Sequence, residues 1–169
     1  MGIINKSYDI ISISDNFIIK NSDKGGEGIF ANKSFERGDL VLLSYGPIIK
    51  KCSKYTIPID YHLFLDPTVY DCPVRYVNHS CEPNCGIKNG VEIVSMKRIE
   101  EGEEITIDYA MIVYDFDYYN WEEDISCECK SEKCRGEIGT YKNLSKSLKE
   151  KYKGFISSFL MSAPIKKYG

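Results

Sequence analysis

The segment "RYVNHSCEPNC" (Arg75 to Cys85) gathers an Asn, a His, a Ser and two cysteines into eleven residues, and holds one of the chain's two histidines. A thiolate beside an imidazole is a strong nucleophile, so a Cys–His hydrolase is one reading. His79 and Cys81 are only two residues apart, however, whereas nucleophile and base usually meet from distant parts of a chain. The blander readings are a buried His79 satisfied by backbone carbonyls and a Cys81 packed as a small hydrophobe. A second segment, "CECKSEKC", places Cys127, Cys129 and Cys134 in C-x-C-x4-C order. Zn²⁺ takes four tetrahedral ligands, with thiolates at about 2.3 Å, so three are supplied here. The fourth is open among Cys81, Cys85, Cys72 and Cys52. In "KGGEGIFA", Gly26 and Gly28 permit close backbone approach to a ligand, although no Gly-Lys-Ser/Thr follows to make a phosphate loop. A flexible hairpin turn is the plain alternative. "GEEITIDYA" ends a β-branched strand with Tyr109, a position where tyrosine packs more often than it reacts.

These residues need a scaffold, and the chain is long enough to supply one. Its 169 residues suit a single domain with a real core, and 43% hydrophobic with 28% charged residues is ordinary for a globular protein. No apolar run approaches the ~20 residues of a membrane span, and the N-terminus lacks a basic-then-apolar signal pattern. "MGIINK" begins like a myristoylation site, but Lys6 stands where Ser or Thr is required. The net charge of -3 argues against broad nucleic-acid binding and suits a basic protein partner. Seven cysteines, three of them within eight residues, cannot all pair with one another. A metal cluster in an intracellular, reducing compartment is therefore expected, and the sequons at Asn5, Asn32, Asn78 and Asn143 are chance matches.

Short β-branched or alternating runs predict strands in "NFIIKNSDKGGEGIFA", "DLVLLSYGPIIKK", "YHLFLDP", "VEIVSMKRI" and "EEITIDYAMIV". "ERGD" and "EEGEE" are turn signals before strands. Only the tail, "SKSLKEKYKGFISSFL", carries a helical pattern, with Gly154 as a break. The expectation is a mostly β domain with short helices, then a cysteine-rich appendage, then a helical tail. "YDFDYYNWEED" (Tyr114 to Asp124) is both acidic and aromatic and reads as a solvated loop or as a rim for a basic peptide.

In this order, the motifs resemble a SET-domain protein-lysine methyltransferase with a post-SET zinc motif, of the small, single-domain, microbial or viral type. "KGGEGIFA" is similar to the family's Gly-x-Gly segment, "RYVNHSCEPNC" to its Arg-Phe-x-Asn-His-Ser-Cys-x-Pro-Asn motif, "EEITIDY" to its Glu-Leu-x-Phe-Asp-Tyr motif and "CECKSEKCRG" to its post-SET segment. The resemblance implies a SET domain over 15–110, a post-SET zinc segment over 111–140 and the helical tail over 141–169. It implies small sheets around a knot-like crossing that brings Asn78 and Tyr109 together. S-adenosyl-L-methionine would be held by Gly26, Glu27, Gly28, Arg75, Asn78, His79, Tyr109 and Ile138. One structural Zn²⁺ would sit on Cys81, Cys127, Cys129 and Cys134, with Cys85 left over. Tyr109 would be the catalytic tyrosine, with Tyr45 assisting, although "SYGPII" is shifted from the family's Tyr-x-Gly-Glu. The residue two before that tyrosine limits the number of methyls; here it is Ile107, which implies di- and trimethylation. The substrate would be a lysine in a histone-like or other basic protein segment, in the cytoplasm or a host nucleus. The rival is a catalytically inactive, zinc-stabilised module that binds basic tails.

Overall fold

The computed structural model describes residues 12–121 and 125–162. Its strands are short and numerous. In chain order they are β1 (Ser12–Ile13), β2 (Phe17–Asn21), β3 (Glu27–Ala31), β4 (Leu40–Leu43), β5 (Ile48–Ile49) and β6 (Ile57–Pro58). They continue with β7 (Phe64–Leu65), β8 (Asn78–His79), β9 (Cys85–Lys88), β10 (Glu92–Ser95) and β11 (Thr106–Ile107). Two short helices, α1 (Phe116–Tyr119) and α2 (Lys146–Lys151), and three 3₁₀ turns complete the described elements. No helix among the described residues is long and apolar enough to cross a membrane.

The strands form four small sheets in the orders β1-β2-β3, β4-β10-β9, β5-β7-β6 and β11-β8. The β2–β3 hairpin turns at Gly25 and Gly26, whose φ angles of 97° and 65° exclude an unstrained side-chain-bearing residue. The β9–β10 hairpin turns at Asn89-Gly90, both with positive φ, the geometry that matches the twist of paired strands. Isoleucines from several sheets meet in one core: Ile19, Ile29, Ile87, Ile93, Ile99 and Ile105 are all essentially inaccessible.

The pair that positions the site is parallel. β8 and β11 align Asn78 with Thr106 and His79 with Ile107, so the Asn-His and Asp-Tyr segments lie side by side. Two-residue strands make few ladder bonds, and a side chain supplements them. Asn84 Nδ2 donates to the Glu104 carbonyl at 2.8 Å, while Asn84 Oδ1 accepts from the Thr106 N–H at 2.9 Å. The amide thus acts as a further rung of backbone.

The tail is part of the core. Ser145 caps α2 by accepting from the Leu148 N–H, and Gly154, with φ of 83°, separates α2 from the 3₁₀ turn at Ser158–Met161. Tyr152 is fully buried, and the Phe155 carbonyl accepts from the Ile87 N–H at 3.0 Å. A Cβ on Gly86 would stand 2.5 Å from Phe155 Cβ, so this glycine lets the tail approach β9.

Candidate active site and thiolate cluster

A cavity of about 540 Å³ opens beside the parallel pair, within the usual range for small-molecule sites. Gly26, Glu27, Arg75, Asn78, Tyr109 and Ile138 all line it, as does Ile107. The rest of its wall is largely apolar and aromatic, including Val77, Ile112, Phe116, Tyr119 and Trp121. Tyr76 also lines it, whereas Tyr114 packs edge-on against Tyr61 and Tyr118 instead.

Tyr109 follows β11 directly, at the start of a 3₁₀ turn capped by Asp108. Its hydroxyl donates to the Val77 carbonyl at 3.1 Å. Burial, and then the nearby Glu104 charge, push this phenol up to about 12. It is therefore protonated at neutral pH, and among the described residues no hydrogen bond is donated to its Oη.

Gly28, His79 and Tyr45 stand elsewhere. Gly28 is buried in β3, where a Cβ would lie 2.5 Å from Glu104 Oε1 and 3.0 Å from Asn78 Nδ2. His79 is buried and is not among the residues that line the cavity. Its Nδ1 accepts from the Tyr109 N–H at 3.2 Å, which leaves the proton on Nε2, 3.4 Å from Cys81 Sγ. Burial pushes the imidazole down to about 4, so it is neutral and suited to that N–H···S contact. Tyr45 is half-exposed, with its backbone N–H directed to Cys72 Sγ at 3.4 Å.

The cysteines converge as the resemblance implies. Residues 125–138 fold back on themselves, with the Ile138 N–H donating to the Ile125 carbonyl and the Cys127 N–H to the Gly136 carbonyl. This turn carries Cys127, Cys129 and Cys134 to Cys81, and the four Sγ atoms all lie within 4.8 Å of one another. A tetrahedron of thiolates around zinc has edges of roughly 3.8 Å; Cys81 and Cys127 are 3.8 Å apart. Backbone N–H groups of Arg135, Cys81 and Gly136 point at the sulfurs of Cys81, Cys129 and Cys134. Such donors favour thiolate charge. Burial opposes ionisation of Cys129, yet backbone donors and the neighbouring thiols draw it down to about 7. Burial raises Cys127 and Cys81. The donor set fits Zn²⁺. Cys85, by contrast, is a fully buried core thiol of β9, and burial raises it strongly.

A buried carboxylate ties this cluster to the cavity. Asp108 has no exposed surface and receives a two-pronged contact from Arg135, at 2.6 and 2.8 Å. Tyr152 donates to the same carboxylate at 3.1 Å. Gly139 leaves room for the guanidinium, since a Cβ there would stand 3.1 Å from it. One aspartate thus joins the strand end, the thiolate arm and the tail. Sequence reasoning missed Asp108, Glu104, Asn84 and Arg135, although all four lie inside or beside the quoted motifs.

The acidic, aromatic stretch is more tightly packed than a solvated loop. Asp115 is buried, caps α1 and pairs with Lys142, while Asp117 is exposed. Residues 122–124 lie outside the described residues.

Comparison with known proteins gives a consistent result. A family model described as "SET domain" matches residues 26–110, half of the chain. The chain is 31% identical over 131 residues to "Histone-lysine N-methyltransferase trithorax" of Drosophila virilis, a match covering 65% of the chain and 3% of that protein. It is 30% identical over 142 residues to "Histone-lysine N-methyltransferase 2D" of Homo sapiens, covering 72% and 2%. With "Histone-lysine N-methyltransferase ash1" of Drosophila melanogaster it shares 38% over 92 residues, covering 50% and 4%. The chain therefore matches only a few per cent of the length of these relatives.

Proposed function

Because the chain belongs to the SET-domain family, we propose that it is an S-adenosylmethionine-dependent protein-lysine N-methyltransferase whose reaction takes place in the cavity between Asn78, Ile107 and Tyr109. The observation that carries this reading is the Tyr109 hydroxyl, pinned to the Val77 carbonyl on the largely apolar wall of a cavity that Asn78 and Ile107 also line. When bound, S-adenosylmethionine supplies an electrophilic methyl: its C–S bond breaks as the N–C bond forms, and the positive charge passes to the lysine nitrogen.

The protein's share is positioning and desolvation. A free lysine amine has a pKa of about 10.4, so presenting it neutral at pH 7 costs roughly 4–5 kcal/mol. The apolar wall of Ile107, Ile112 and Val77 disfavours the ammonium and lowers that cost. The lost proton goes to water, since Tyr109 is already protonated. Its Oη accepts from an amine N–H and orients the nitrogen lone pair. Gly26, Arg75, Asn78 and Ile138 line the cavity and would hold the methyl donor. Zn²⁺ on the four thiolates would convert metal binding into folding energy for one wall.

A histone-like or other basic segment is the proposed substrate, in keeping with the net charge of -3 and the names of the relatives. Ile107 brings neither ring nor hydroxyl to the amine, so di- and trimethylated products are proposed. An intracellular, reducing compartment is proposed, a reading that the seven free cysteines support. The test is incubation with S-adenosylmethionine and a histone mixture, followed by mass spectrometry of lysines. Added mass of one to three methyls supports the reading. Cofactor binding without transfer to any protein supports an inactive peptide-binding module instead.

A further inference from the structure

The Asn78 side chain is held from behind by a carboxylate that the proposed chemistry does not use. Asn78 Nδ2 donates to the Glu27 carbonyl at 3.0 Å and to Glu104 Oε1 at 2.8 Å. Both partners are acceptors, so only the NH₂ end of the amide can face them, and the orientation is fixed chemically. Both N–H groups are thereby used. Among the described residues no hydrogen bond reaches Asn78 Oδ1, and Asn78 lines the cavity.

Glu104 is itself tightly held. Its side chain is only 8% exposed. Oε1 also accepts from Ser22 Oγ at 2.7 Å, and Oε2 pairs with Lys24 Nζ. Ser22 and Lys24 belong to the turn that carries Gly25 and Gly26, with the Ser22 N–H donating to the Gly26 carbonyl. One carboxylate therefore links two parts of the cavity lining, the glycine turn and Asn78. Gly28 makes room for this arrangement, because any Cβ there would overlap Glu104 Oε1 and crowd Asn78.

We propose that Glu104 is a positioning residue of the site: it locks the Asn78 amide so that Oδ1 is presented to the cavity as an acceptor for an N–H donor on the bound methyl donor. The group recognised is an amine or ammonium. Glu104 is not among the residues that line the cavity; the effect proposed here runs through Asn78, beside the contacts to Ser22 and Lys24 that brace the glycine turn. This inference rests on the proposed function, since the ligand is the one named there.

Two replacements separate contact from charge. Glu104→Gln keeps an oxygen within reach of Asn78 and loses the charge. Glu104→Asp keeps the charge and withdraws it by one methylene. S-adenosylmethionine affinity is measured by calorimetry on the full, zinc-loaded chain, with folding checked by circular dichroism. Glu104→Gln stays within about threefold of wild type, whereas Glu104→Asp and Glu104→Ala each weaken binding about tenfold, the equivalent of one neutral hydrogen bond. In an Asn78→Ala background the differences among the three replacements shrink, because the route through the Asn78 amide is gone and only the bracing of the glycine turn is left. Where Glu104→Ala does not fold, the Asp and Gln pair gives the same comparison. Wild-type affinity in Glu104→Asp, equal losses in Gln and Asp, or losses undiminished without Asn78 each overturn the proposal. Failure of the wild-type chain to bind S-adenosylmethionine at all overturns the reading of the cavity instead.

Discussion

In the proposed reaction Tyr109 takes part as a phenol whose proton is already committed to the Val77 carbonyl. Replacing it with Phe removes one hydroxyl and one hydrogen bond, about 1 kcal/mol of stability, so the fold survives. Turnover is expected to fall at least a hundredfold while S-adenosylmethionine affinity stays within a few-fold, as read by single-turnover methylation and calorimetry. The same substitution has an alkaline signature. The phenol ionises near 10 when the chain is unfolded and near 12 when folded. Its contribution is whole below pH 10 and is lost as pH rises through 12. Wild type should therefore lose denaturant stability more steeply than Tyr109→Phe between those values. The number of methyls added is proposed to depend on Ile107, which lines the same cavity. Ile107→Tyr adds a ring and hydroxyl on the buried wall beside Tyr109, and should shift products from di- and trimethyl-lysine toward monomethyl-lysine with cofactor binding intact. A wild-type enzyme that stops at monomethyl-lysine under excess cofactor would refute the space argument, with Tyr76, also on that wall, the residue to examine next.

The elements show what local pattern reveals and what it hides. The cysteine arm was legible because three cysteines at such short spacing have few roles other than metal binding, and the fourth ligand came from the resemblance. Cys81→Ser should lower bound zinc from one per chain and loosen the 125–138 turn, while Cys85→Ser, deep in β9, should keep its zinc; elemental analysis distinguishes them. The contact between Asp108 and Arg135 was not legible. Nothing in "DY" or "CRG" says that two residues 27 apart share one buried carboxylate. Likewise Asn84 reads as a turn residue, and only the parallel register of β8 with β11 turns its amide into a rung. Arg135→Met leaves Asp108 charged and buried with only partial compensation from Tyr152, which costs about 3–5 kcal/mol. Chemical denaturation should record that loss even with zinc in excess, which marks a second anchor for the arm independent of metal.

For the molecule as a whole, the sequence suggested a domain with an appendage and a tail, and the structure packs all three into one interior. The burial of the tail was not legible in the sequence, for a specific reason. None of the six residues of α2 is fully buried, and only Leu148, half-buried, packs against the core, so the helical stretch carries a weak core signal. The burial falls on Tyr152, Phe155 and Leu160, in turns that lack a period to read. Tyr152→Ala should cost about 4 kcal/mol by emptying the volume of a buried ring and removing a donor to Asp108, a loss visible as a large drop in melting temperature. The depth of Tyr152 also sets the order of events during synthesis. The β2–β3 hairpin emerges early, but the interior it faces stays open until residue 152 has left the ribosome. At ordinary translation rates that interval is on the order of ten seconds. Through it, the isoleucine-rich faces of the nascent sheets remain exposed to water and to other chains, and a holdase that shields them would be needed most in that window.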